Sequence, residues 1–158
     1  MDWLQLFILA ALGTGLSVAA QGFLFAYRNN IYHIPVVLKL FDSAQFASDP
    51  FYQSLRNFTS LVWPGLSLIT TPANIGAVFL GAHLASRILL YVTCLVFLYQ
   101  AGLRKTPQLA IAVLTLAFSR AFVDYSAVGA TGMQIDYFTH TELTYPLILA
   151  SLMLAANR

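Results

Sequence analysis

The sequence predicts an all-α, polytopic helical membrane protein of about four transmembrane helices, with amphipathic helices in its first outer loop. Three observations lead there. Residues of the AVILMFWYC set make up 59% of the chain and charged residues only 9%, where a soluble domain carries roughly a quarter charged. Mean hydropathy is +0.74. The apolar residues gather into runs long enough to cross a hydrocarbon core of ~30 Å. So few charges cannot cover a soluble fold, which excludes an ordinary cytoplasmic enzyme, a disordered chain and a coiled coil. A net charge of +2 is too small to suggest a nucleic-acid partner. The single cysteine, Cys94, permits no internal disulfide.

The 158 residues read as one integral membrane domain, 1–158. The first span covers about 3–27. A signal peptide is the competing reading, but only Met1 and Asp2 precede Trp3 and the run is too long for its apolar region. The second span is 75–103, closed by Arg104 and Lys105. Pro107 then suits the first turn of a third span, about 108–123. The fourth, about 144–156, has Pro146 in its first turn. The tight Arg104–Lys105 connection is expected on the cytoplasmic side. The termini are then cytoplasmic, and the loops 28–73 and 124–142 are external.

The 28–73 loop carries its own helix signals. Ile31 to Phe41 is apolar, with His33 and Lys39 interposed. Ser48-Asp49-Pro50 is a helix start. Phe51, Leu55, Phe58 and Val62 then share one face of a helix, with Trp63 expected near headgroup level. The stretch 58–70 is apolar enough to dip into the membrane, so five spans is the alternative to four. Pro64, Gly65 and Thr70-Thr71-Pro72 argue against a full crossing. Asn57-Phe58-Thr59 is formally a glycosylation sequon.

Polar residues inside apolar helices are costly and normally face protein or a wet cavity. His83, Arg87, Tyr91 and Cys94 share one face of the second span. This stripe reads as a structural network with Arg87 paired to an acid such as Asp124, as an anion site at Arg87, or as a metal or tetrapyrrole ligand at His83. In the first span Thr14, Ser17, Gln21 and Arg28 recur on one face, and Gly13 and Gly15 add room for close packing. Arg120 and Asp124 can pair across one turn. Asp136, His140 and Glu142 form the most polar stretch. They read as an acid/base or metal cluster, or as a solvated loop, and the spacing D-x3-H-x-E matches no established metal motif. Neither a cofactor nor a metal is expected.

Asn30-Ile31-Tyr32-His33-Ile34-Pro35, Asp42, Ser48-Asp49-Pro50-Phe51 and Tyr137-Phe138-Thr139-His140-Thr141-Glu142-Leu143 carry a resemblance. With the order of spans and loops, the chain resembles the amino-terminal part of C-type glycosyltransferases. More narrowly, it resembles a group of bacterial multispanning proteins of that fold whose function is unknown. The resemblance implies the bacterial inner membrane. It also implies a lipid-linked sugar transferase, or a degenerate half of one. Arg28 and Arg87 would hold a lipid phosphate, and an acid among Asp49, Asp136 and Glu142, or His140, would do the catalysis. Such enzymes commonly carry an acid early in the first outer loop, where this chain reads Arg28-Asn29-Asn30. The competing expectation is an accessory subunit of a larger membrane complex, packing against lipids and other membrane subunits. A transporter is a third reading, resting on Arg87 alone.

Overall fold

The computed structural model describes residues 2–57, 60–119 and 136–156. Among these residues every regular element is helical. The α-helices are α1 (Trp3–Gln21), α2 (Asn30–Val37), α3 (Pro50–Ser54), α4 (Val62–Ser67), α5 (Ile75–Gln100), α6 (Thr106–Ala117) and α7 (His140–Ala156), with short 3-10 turns at Leu40–Asp42, Ala44–Phe46 and Leu55–Asn57. Two of them, α1 and α5, are long and apolar enough to cross a membrane.

Local chemistry sets the ends. The Asp2 carboxylate accepts from the Gln5 N–H at 2.7 Å and starts α1. The apolar run continues to Tyr27, but the helix stops at Gln21 because Gly22 turns to a φ of 77°. Asp49 caps α3 through the N–H groups of Phe51 (2.8 Å) and Tyr52 (3.4 Å), with Pro50 in the first turn. The amphipathic helix expected from Pro50 to Val62 is not continuous. It gives way to a 3-10 turn at Leu55–Asn57, and α4 starts afresh at Val62. Pro64 has no N–H to extend a helix begun at Pro50, yet it fits the first turn of one begun at Val62. Leu55 is buried, Phe51 is 41% exposed, and Phe58 and Thr59 lie outside the described residues.

The third apolar helix is shorter than expected: α6 ends at Ala117 after 12 residues. The Arg120–Asp124 pair lies outside the described residues. The fourth starts one turn early, at His140, so Pro146 falls inside α7. Having no N–H, Pro146 leaves the carbonyl of Glu142 without its helical donor.

The helices pack in tiers along α5. At its C-terminal end Tyr91 and Leu95 join Leu6 and Ala10 of α1 and Leu109, Val113 and Ala117 of α6. At its N-terminal end Ile75 and Phe79 join Val36 and Val37 of α2, Leu55, Trp63 of α4, and Phe138. Trp63 is wholly buried in this upper cluster. Between the two lie the buried polar residues His83, Ser86 and Arg87. α1 packs against both α5 and α6, and α7 packs against α5. The close approach of α1 depends on Gly13. A Cβ there would sit 2.6 Å from the Tyr91 ring and 2.8 Å from Val113 Cγ1, whereas one at Gly15 would meet open space.

Candidate functional site

The middle tier is built by three helices. Arg87 is the thirteenth residue of α5, so a rise of ~1.5 Å per residue puts it about 18 Å along the axis. Here the chain brings up Glu142 from the first turn of α7 and Gln21 from the last turn of α1. The His83 Nδ1–H donates to Glu142 Oε2 at 2.9 Å. The Ser86 hydroxyl lies 3.3 Å from that oxygen and 2.9 Å from the His83 carbonyl. The Arg87 Nε faces Glu142 Oε1 at 3.8 Å, and its terminal nitrogen donates to Gln21 Oε1 at 3.2 Å. Gln21 passes the chain on, donating from Nε2 to the Ala117 carbonyl at 3.2 Å. Glu142 is thus an acid partner of Arg87; Asp124, the acid named for it from the sequence, lies outside the described residues. His83, Arg87 and Glu142 are all at least 95% buried, so removing one member strands its partners in a dry interior.

A second group lies beside it. Asp136, Tyr137, Phe138 and Thr139 precede α7 and are all buried. The Asp136 carbonyl accepts from the Leu24 N–H at 2.6 Å, tying this segment to the chain just after α1. The His33 ring stacks on Trp63 at 4.0 Å, and the His140 ring stands edge-on to both at 5.8 Å. Burial, and the nearness of His140, lower the His33 pKa from 6.5 to about 4. Burial pushes the Tyr137 phenol above its usual range, against the opposing pull of the Arg28 guanidinium. Arg28 itself is exposed, sits at a φ of 49°, and lies 5.2 Å over the Tyr27 ring.

The sequence-level site residues thus separate. Glu142 and Arg87 meet; His140 instead joins His33 and Trp63, and Asp136 sits by Leu24 and Tyr137. Among the described residues no group of three His, Cys, Asp or Glu side chains is placed to hold a metal ion. Among the described residues, the His83 Nε2 and both polar side-chain atoms of the wholly buried Asn30 find no hydrogen-bond partner. Asp49 serves as the cap of α3, and the exposed Asp42 pairs with Arg56 at 3.2 Å. Sequence reading missed Asn30 and the His33–Trp63 stack. Their one available signal was a histidine set among apolar residues at 31–41. No family model, curated protein or solved structure matches the chain.

Proposed function

We propose that the chain is a polytopic membrane protein of about four spans, among them α1, α5, α6 and α7, and that it acts as an accessory subunit of a larger membrane complex. One observation carries the reading: the bundle turns its polar groups on one another and its apolar groups outward. Arg87, His83, Ser86, Gln21 and Glu142 turn to one another inside. Large apolar side chains such as Phe7 and Leu12 on α1, Ile111 on α6, and Leu147, Leu152 and Leu154 on α7 are at least half exposed. Lipid and neighbouring subunits are the surroundings that accept such a surface.

Mild-detergent extraction followed by native mass measurement tests this. A larger assembly of fixed stoichiometry is expected, and a lone chain carrying only lipid overturns the subunit role. Sugar transfer from a polyprenyl-phosphate donor by the isolated chain would favour the second reading, part of a C-type glycosyltransferase. That reading draws on Asp136 and Arg28, whose charges both act on Tyr137 at one end of the bundle. The termini are placed on the cytoplasmic side. With cysteines at Gln53 and Thr106, an impermeant thiol reagent on intact cells is expected to label the Gln53→Cys chain; labelling of Thr106→Cys alone reverses the orientation.

A further inference from the structure

Below the polar tier, α5 and α6 do not close on each other. α1 lies against both, and Gly13 lets it in so far that Tyr91 and Val113 are wedged against its backbone. On the far side of that wedge a half-open cavity of about 180 Å³ remains between α5 and α6, walled by Tyr91, Cys94, Leu95, Leu98, Val113 and Leu116. For comparison, an enclosed cavity of roughly 150 Å³ lined by aliphatic and aromatic side chains stays dry and takes up small apolar molecules. The walls are apolar apart from what Tyr91 and the Cys94 thiol contribute. Water therefore finds too few partners to occupy the space, and an empty slot forfeits dispersion contacts along its length.

We infer that this cavity is a binding site for one hydrocarbon chain of a membrane lipid. The wall residues of α5 recur at 91, 94, 95 and 98, which stretches the slot over two turns, or ~10 Å at 1.5 Å per residue. That elongated form suits an extended alkyl chain rather than a compact ring. Two of its walls, Tyr91 and Val113, are held by the Gly13 contact, so the site is formed before its occupant arrives. Its lining includes Phe97, which is itself exposed and faces lipid if α5 and α6 cross the bilayer. The inference rests on that membrane reading.

The test uses the full chain in nanodiscs of phosphatidylcholine bearing a mid-chain diazirine, with photo-adducts located by mass spectrometry. Adducts are expected within 91–98 and 112–116 as well as on the outward face of α7 at 147–154. Ala112→Leu fills the slot and is expected to abolish the first set while leaving the second. Cys94→Leu fills it from the opposite wall and serves as an independent variant should Ala112→Leu fail to fold. Equal labelling of 91–98 in the wild type and in a folded filling variant overturns the site, because the chain would then lie on the surface. Adducts on α7 with none at 91–98 overturn the site and leave the membrane reading standing. An absence of adducts on every helix overturns both.

Discussion

The C-terminal half of α5 meets its neighbours through shape, and the middle of the same helix meets them through charge. At Tyr91 and Val113 the fit to Gly13 leaves no room for a Cβ, which would sit 2.6–2.8 Å from them. At His83 and Arg87 the contacts are one carboxylate shared by two side chains and one amide shared by two helices. Losing shape costs in proportion to the volume involved. Losing one member of a closed buried network costs the desolvation of every group left behind. The two halves should therefore fail differently under mutation.

Glu142→Leu should be the most damaging change, lowering stability by about 3–5 kcal/mol because the buried Arg87 and His83 lose the carboxylate they share. Thermal unfolding measures it. Adding Arg87→Leu to that variant should restore a substantial part of the loss. If the double variant is as unstable as the sum of the two single ones, the network is not the coupled unit described here.

The histidine stack gives a smaller effect with a defined pH window. The unfolded chain binds a proton at His33 near pH 6.5 and the folded chain near 4. The stability contributed by keeping His33 neutral is thus fully present above about pH 6.5 and falls as the pH drops towards 4, by at most about 3 kcal/mol. His33→Phe keeps a ring against Trp63 and should flatten this slope. An unchanged slope would place the titration elsewhere.

In the apolar tier, Gly13→Ala should cost about 1–3 kcal/mol by overpacking Tyr91. Gly15→Ala, two residues along the same helix, should be neutral or stabilising by up to about 1 kcal/mol. Equal effects at the two positions would mean that α1 does not seat on Tyr91 as described.

Much of the architecture was legible because helix signals are local. Asp49-Pro50 announced α3, and the apolar runs announced α1 and α5. Small residues at the packing face also drew attention to Gly13, though only the structure separates it from Gly15. The site was half legible. Arg87 could be recognised as needing a partner, because a charge at mid-span is costly, and Glu142 could be recognised as a candidate acid. Nothing local joins two residues 55 positions apart. The burial of Trp63 beneath His33 was not legible, because nothing local signals that a ring from another helix will cover it.

The lateness of Glu142 in the chain has a consequence for synthesis. Arg87 and its early partner Gln21 are both made before the acid that completes the network. At roughly 5–20 residues per second, the 55 residues between Arg87 and Glu142 take about 3–11 s to translate. For that interval the nascent α5 holds a guanidinium at its midpoint without the Glu142 carboxylate that faces it in the finished fold. α5 therefore gains its full set of contacts only once α7 has emerged. A ribosome stalled before residue 142 should hold a nascent chain whose α5 is far more easily extracted than the same helix in the finished protein.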